Sequence, residues 1–457
     1  MKTLSISKRN VLSIVVIVLL LFQSTYIFSQ KRTDKRSGYA VNVSNKNGKS
    51  TVHVKNNGKD FKIEYEGEFT LSDDDKDITA ITAGGFIEIT KSSFGNKRRV
   101  VIESDRNGNL IRKFYVGRSE RDYNPEGRTW LAEVLPDVVR STAIGAKSRV
   151  ARFYNRGGAT AVLGEIRRMD SDYVKSIYFR LLLENNLRNS ELVDVIEASG
   201  RQIKSDHYLA EILKSNQKAF LANSQTINAY ITASSSLKSD HYITSVLKHV
   251  INDSSITDTQ MGSLLDIARE VKSDHYVTQI LTEIMEKRNL NSQNVSKIIN
   301  LSKDIQSDNY KTEVLKKVIN DKGMPADAYD ALIGTMADIK SDHYMTEVIK
   351  TLIKSRLETS DSGLSRLLDL VGNHVRSDHY AATIYTLLAK HDLSEAQMII
   401  ALNSMTNIRS GHYLSDSLMA FSGKVKSSSE RVKSAYRTAA KSIRSDSYYG
   451  RAVKAID

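Results

Sequence analysis

An Asp, a His and a Tyr in immediate succession are the raw material of acid–base or metal chemistry. This sequence offers them again and again, as IKSDHYLAEIL from Ile203 to Leu213 and then as KSDHYITSVL, KSDHYVTQIL, KSDHYMTEVI and RSDHYAATIY. A reactive centre is assembled once, from groups that the fold brings together. A tetrad that returns at fixed intervals is read instead as a mechanical part of a long array.

The interval supports that reading. The Ser of the motif falls at Ser205, Ser239, Ser273, Ser307 and Ser341, four consecutive steps of 34 residues, and continues at Ser377, Ser410 and Ser445. A degenerate first copy, MDSDYVKSIYF, places it at Ser171. Self-similarity at such a period marks a solenoid of helix pairs. After each motif, apolar residues recur with helical spacing: Tyr242, Val246, Leu247, Val250 and Ile251, then Tyr276, Ile280, Leu281, Ile284 and Met285, then Tyr310, Val314, Leu315, Val318 and Ile319. A second helix follows, with Met261, Leu264, Leu265, Ala268 and Val271 in one unit and Tyr329, Leu332, Ile333, Met336 and Ile339 in another. Each pair has too little core to stand alone and buries its apolar face by stacking on its neighbours. About eight such units and a final half unit are expected over residues 170–457.

Within that frame each letter of the tetrad has a structural task. The serines Ser205, Ser239, Ser273, Ser307, Ser341 and Ser377 are expected to cap the first helix of their units, the hydroxyl accepting from an unpaired first-turn amide. Asp206, Asp240, Asp274, Asp308, Asp342 and Asp378 place negative charge at the positive end of the helix dipole. Tyr208, Tyr242, Tyr276, Tyr310, Tyr344 and Tyr380 open the apolar stripe, each hydroxyl within reach of the adjacent turn. His is the one member this account does not need; Asn309 and Ser447 replace it in two units, which favours hydrogen bonding over metal binding or basicity. Packed helices lie about 8 to 10 Å apart, whereas zinc ligands lie about 2 Å from the metal. Histidines one unit apart therefore cannot share an ion. No metal or other cofactor is expected.

Composition bounds the rest. The 457 residues include 66 Lys or Arg against 53 Asp or Glu, a formal charge of +13, with three prolines, one tryptophan and no cysteine. Few prolines suit a mainly helical chain. Without cysteine there is no disulfide, thiol nucleophile, thiolate zinc site or lipidated N-terminal Cys. The first 29 residues read as a signal peptide: Lys2, Lys8 and Arg9, the apolar run Val11 to Phe22, then a polar stretch ending at Ser29. That run is shorter than the roughly 20 residues needed to span a bilayer. An uncleaved membrane anchor is the other reading. Export to the periplasm or cell surface follows from either. The positive charge is read mainly as lysines on solvated helix faces, secondarily as attraction to an anionic envelope surface. No nucleic-acid partner is expected, because no Arg cluster with interleaved aromatics is present.

Between residues 38 and 118 the period changes to two. YAVNVS, STVHVK, DFKIEYEGEF, GFIEITKS, KRRVVIES and NLIRKFYVG predict a small antiparallel β domain of about six strands, joined by Asn- and Gly-containing turns. GKS at Gly48 to Ser50 lacks the earlier glycine of a phosphate-binding loop. The acidic stretch SDDDKD, Ser72 to Asp77, lacks the Gly and Glu of a helix–loop–helix calcium site and is read as a solvated turn. Residues 126–169 form a helical connector, RTWLAEVLPDVVRSTAI, KSRVARFYNRGG and ATAVLGEIRRM. The fold class expected is thus mainly α, an α-solenoid of helix hairpins preceded by a small antiparallel β domain.

The period equals that of tetratricopeptide repeats, but the landmark residues of that family are missing. A closer resemblance is carried by IEYEGEFTLSDDDKDITAITAGGFIEI, by TWLAEVLPDVVRSTAIGAKSRVARFYNRGGATAVLGEI and by the run of I-x-S-D-x-Y units. Together they resemble the exported C-terminal region of bacterial membrane metallopeptidases of the beta-lactam-sensor family. The resemblance implies a β module followed by a helical-repeat array. The peptidase half of those proteins, with its zinc motif, has no counterpart here, so its activity is not carried over.

No H-E-x-x-H, G-x-S-x-G or paired-carboxylate signature is present. The chain is therefore read as a non-catalytic exported scaffold that binds a protein or peptide in the bacterial cell envelope, over an array about 80 Å long at the helix spacing above. The alternative is a sensory or regulatory component of an envelope signalling system, acting with a membrane peptidase partner.

Overall fold

The computed structural model describes residues 30–34, 39–46, 48–56, 59–93, 96–253, 255–287, 289–321, 324, 328–356 and 360–457. The proposed signal peptide, residues 1–29, lies outside them. The chain is mainly helical, with helical repeats after a small antiparallel β domain. It divides into two compact units, Met1–Tyr208 and Leu209–Asp457. The first unit holds the β domain, the connector helices and the opening repeat; the second holds the remaining repeats.

The β domain is larger than its alternating pattern suggested. Eight antiparallel strands lie in the order β1(Gln30–Asp34), β2(Tyr39–Lys46), β3(Lys49–Asn56), β4(Lys59–Glu66), β7(Phe86–Ser93), β8(Asn96–Ser104), β9(Leu110–Val116) and β10(Ser119–Arg121). The expected six are β2, β3, β4, β7, β8 and β9. The two additions are short strands at the sheet edges, too brief to show a period. A separate hairpin, β5(Phe69–Leu71) with β6(Ile78–Ile81), is inserted in sequence between β4 and β7 and buries Leu71, Ile78 and Ile81 in the same core as the sheet.

One face of the sheet is apolar: Val52, Val54, Phe61, Ile63, Ile87, Ile89, Val100, Ile102 and Phe114 are all buried. The helix Arg128–Thr142 covers it with Trp130, Leu131, Val134, Leu135, Val138 and Val139. Trp130 meets Phe114 at 5.9 Å between ring centroids. Gly127 lets this helix start against the sheet, since a Cβ there would lie 2.7 Å from the Phe114 Cβ. The helix Ala146–Ile166 is broken at Gly157 and Gly158, where φ of Gly158 is +61°, so the two connector helices expected on either side are both present.

In the second unit, first helices pack on first helices and second helices on second helices. The first helices include Asp240–Ile251, Asp274–Lys287, Asp308–Asn320, Asp342–Arg356, Asp378–Leu388, Gly411–Lys426 and Asp446–Lys454. The second helices include Asp258–Ala268, Ser292–Asp304, Asp361–His374 and Glu430–Ala440. The expected stripes form the core: Val246, Leu247, Val250, Ile251, Val314, Leu315, Val318 and Ile319 are all 0% exposed.

A second buried row was not anticipated. Five residues after each motif Ser stands a small side chain: Ser176 and Ala210, then Thr244, Thr278, Thr312, Thr346, Ala382 and Ser415. All of these are buried. Small residues at a repeated position let adjacent helices approach closely, and their modest hydropathy hides them from a search for apolar stripes.

Candidate functional site

The Asp of the motif does not face its neighbouring His. The carboxylates of Asp172, Asp240, Asp274, Asp308, Asp342 and Asp378 reach the chain one repeat further on. Asp240 accepts from the backbone N–H of Lys272 (3.2 Å) and Ser273 (2.8 Å), and Asp274 from those of Gln306 (3.1 Å) and Ser307 (2.7 Å). Asp308 does the same for Lys340 and Ser341, and Asp378 for Arg409 and Ser410. Asp342 reaches Ser377 at 2.7 Å. In the first unit Asp172 holds Lys204 and Ser205 in the same way. Asp206 is half-buried at the start of its helix. The Asp is thus a clamp between repeats rather than only a complement to the helix dipole.

This corrects the role given to Ser. Ser307 and Ser377 stand at the N-cap, and their carbonyls accept the first helical bonds, from Lys311 and Ala381. The carbonyls of Ser239, Ser273 and Ser341 likewise accept from Ile243, Val277 and Met345. The hydroxyls of Ser307, Ser377 and Ser410 make no cap bond; that of Ser171 does, to the Val174 N–H at 3.4 Å. Side-chain caps instead start the second helices, at Asn223, Thr257, Asn291, Ser360 and Ser394. In the motif the Ser backbone N–H, held by the preceding carboxylate, fixes the corner.

The Tyr is also less interior than expected. Tyr208, Tyr242, Tyr276, Tyr310, Tyr344 and Tyr380 are half-buried, and full burial begins with the following residue, as at Ile243, Val277 and Met345. The motif histidines are exposed. Each imidazole lies between the phenol of its own repeat and that of the next. His275 is 5.4 Å from Tyr276 and 5.8 Å from Tyr310; His379 is 5.4 Å from Tyr380 and 5.6 Å from Tyr413. His241 with Tyr276, His343 with Tyr380 and His412 with Tyr448 repeat the contact at 6.2, 6.0 and 5.4 Å. The Tyr310 hydroxyl and His275 Nδ1 are 3.3 Å apart. Asn309 stands where this row would otherwise carry a ring.

A row of imidazoles and phenols therefore runs along one edge of the repeats, and the residue before the motif Ser is an exposed cation at Lys272, Lys340, Arg376 and Arg409. Because the neighbouring carboxylates are engaged by backbone amides, sequence adjacency of Asp and His does not create an acid–base pair here. His412 Nε2 meets the Asp416 carboxylate at 3.5 Å, within its own helix. Among the described residues, no three His, Asp or Glu side chains come together in a way that could hold a metal ion.

The first unit contains a different cluster, which the sequence reading missed. Asp75, placed in the acidic turn between β5 and β6, is buried rather than solvated. Its Oδ2 accepts from Arg149 Nε (3.1 Å) and Nη2 (2.8 Å), and its other oxygen pairs with Arg152. Arg149 is 0% exposed, and its Nη2 also donates to Glu165 Oε1 at 2.6 Å, while Arg140 Nε donates to the same oxygen at 2.7 Å. The Tyr178 hydroxyl completes the cluster beside Arg149. Burial alone would raise the Asp75 pKa, but hydrogen bonds from Arg149 and Arg152 outweigh it and hold the carboxyl below its ordinary range. Burial pushes the Tyr178 phenol up. The available signal was pairing by charge: three arginines, Arg140, Arg149 and Arg152, lie on connector helices downstream of an acidic turn.

Among the described residues, no helix is long and apolar enough to cross a membrane. No family model matches the chain, and no curated protein matches it. Among solved structures, it is similar to a chain from the computational design of self-assembling cyclic protein homooligomers, at 13% identity and a TM-score of 0.11, over 70% of this chain and 95% of that one. A likeness at that TM-score carries no argument about fold or function.

Proposed function

We propose that this protein is a non-catalytic, exported repeat scaffold that binds other proteins in the bacterial cell envelope. The observation that supports the reading is the row of exposed imidazoles and half-buried phenols. In successive repeats the buried side chains and the Asp clamp account for cohesion, yet His241, His275, His343, His379 and His412 stand in solvent at the same place. Tyr and His present broad, rigid, amphipathic edges at low conformational cost, which suits recognition of an extended partner segment. The neighbouring cations favour a partner carrying carboxylates along that segment.

Cross-linking in the native envelope, compared with a His275→Ala/His343→Ala/His379→Ala variant, tests the proposal. The same protein should be captured reproducibly by the parent chain. Once purified, it should bind the triple variant at least about tenfold more weakly, with the melting temperature preserved. Equal binding by the variant, or no reproducible capture, overturns the reading.

A further inference from the structure

The positive charge is concentrated. Phe421–Asp457 carries nine Lys or Arg against three Asp or Glu, so +6 of the chain's formal +13 lies in less than a tenth of its length. Two helices and the turn between them, Glu430–Ala440 and Asp446–Lys454, hold most of these groups.

On the helix Glu430–Ala440 the placement is one-sided. Val432, Tyr436, Ala439 and Ala440 are buried, while Glu430, Arg431, Ser434, Arg437 and Thr438 are exposed on the opposite side of the same helix. Lys441 and Arg444 in the turn that follows, and Arg451 and Lys454 on the next helix, are exposed as well. Glu430 is occupied by Lys433 at 3.2 Å and Arg437 at 3.5 Å, and Arg451 pairs with Asp416 at 3.0 Å. Among the described residues, Lys441, Arg444 and Lys454 have no carboxylate within ion-pair distance, and Arg431 has none that close although, with the hydrogen bonds from Ser429, its charge helps hold the Glu395 carboxyl below its ordinary range. Tyr449, 37% exposed, is one of two large apolar or aromatic side chains among the described residues with that much surface in solvent.

We propose that this face docks on a lipid bilayer rich in anionic phospholipids. The charge is complementary, and unpaired cations within a Debye length of a negative surface act together. Ser434, Thr438 and Ser442 lie between the cations and supply hydroxyl donors to phosphate oxygens. The cations are spread over two helices and the turn between them, and no series of aromatic rings alternates with them. A planar surface fits that arrangement better than a nucleic-acid strand does. The contact is peripheral and does not depend on the imidazole row, so it stands or falls separately from the protein-binding role.

Co-sedimentation of the full chain with vesicles tests it. The probe is phosphatidylcholine containing about one third phosphatidylglycerol, against phosphatidylcholine alone. Binding is expected to the anionic vesicles only and should disappear when salt rises from about 0.05 M to 0.5 M. The Arg431→Glu/Lys441→Glu/Arg444→Glu/Lys454→Glu variant should lose at least about tenfold in binding, and a matching set of Gln substitutions should lose less. Lys218→Glu/Lys272→Glu/Lys303→Glu/Lys340→Glu changes net charge equally at exposed positions elsewhere and should bind within about twofold of the parent. Equal losses in both charge-reversed chains, binding to neutral vesicles, or undiminished binding by the first variant and its Gln counterpart would overturn the proposal. So would tighter binding to a single-stranded oligonucleotide that the same four substitutions abolish.

Discussion

The Asp274 carboxylate accepts the backbone N–H of Ser307 at 2.7 Å, 33 residues further along the chain. The same oxygen takes the Gln306 N–H at 3.1 Å. Two amides ahead of one first helix are thereby satisfied by the first residue of the first helix in the preceding repeat. Hydrogen bonds to an ionised acceptor are worth about 1.5 to 3 kcal/mol, and an orphaned half-buried amide loses that support. Asp274→Ala should therefore destabilise the array by about 2 kcal/mol, and Asp274→Asn, which keeps one acceptor oxygen, by less. Amide exchange at Gln306 and Ser307 reads the effect directly. Unchanged protection of both in the Ala variant would show that the clamp is incidental.

The small-residue row gives a prediction of opposite sign. Thr312 is buried, and its hydroxyl has no hydrogen-bond partner among the described residues. An unsatisfied buried hydroxyl costs about 1 to 3 kcal/mol. Thr312→Val keeps the shape and removes the polar atom, so thermal unfolding should move upward, by about 1 kcal/mol in stability. Thr312→Leu adds volume where neighbouring first helices meet and should cost about 1 to 3 kcal/mol. A Val variant less stable than the parent would mean that the hydroxyl is bonded in solution.

Stability of the first unit should fall on acidification. The folded-state pKa of Asp75 is depressed by Arg149 and Arg152, whereas an Asp in the unfolded chain titrates near about 3.9. As pH drops below about 4 the unfolded state takes up the proton first. The stabilisation is therefore complete above that value and is lost as pH falls through the lower folded pKa. Melting temperatures of Asp75→Asn against pH should be lower than the parent's at neutrality and should converge with it in acid. Arg149→Met, which strands Asp75 and Glu165 without their shared cation, should cost about 3 to 5 kcal/mol. Parallel curves for Asp75→Asn and the parent would place the acid sensitivity elsewhere.

The repeat period, the helix pairing and the two apolar stripes were legible because periodic burial writes itself into periodic sequence. The motif's inner logic was harder to see. Asp274 and Ser307 are partners across a whole repeat, and local reading assigned each to its own helix end, where N-cap chemistry offers a ready explanation. The Thr row was invisible to a search for hydrophobicity because its role depends on size. Asp75 was misplaced for a related reason: three consecutive acids look solvated until the fold brings Arg149 and Arg152 onto the third of them. His was the one letter left without a structural task, and the structure places it in solvent.

Gly411 offers a test of the clamp by addition. It occupies the position that Asp holds in the preceding repeats, so no carboxylate is available there for the turn before the next helix, at Arg444 and Ser445. Its backbone sits at the start of the helix Gly411–Lys426, after Ser410, and lies outside the left-handed region, so an L side chain is sterically allowed. A Cβ would come 3.2 Å from Ile443 Cγ2, a tight contact that a small shift of that side chain relieves. Gly411→Asp should thus create the missing bond, and removal of a glycine also reduces the freedom of the unfolded chain by about 0.4 to 1 kcal/mol. The Ser445 amide should gain protection from exchange, and the repeat around it should melt a few degrees higher at about 1 kcal/mol of added stability. Gly411→Ala separates the two contributions, since it shares the backbone effect and cannot make the bond. If the Asp and Ala variants protect Ser445 equally, the carboxylate is not what joins one repeat to the next.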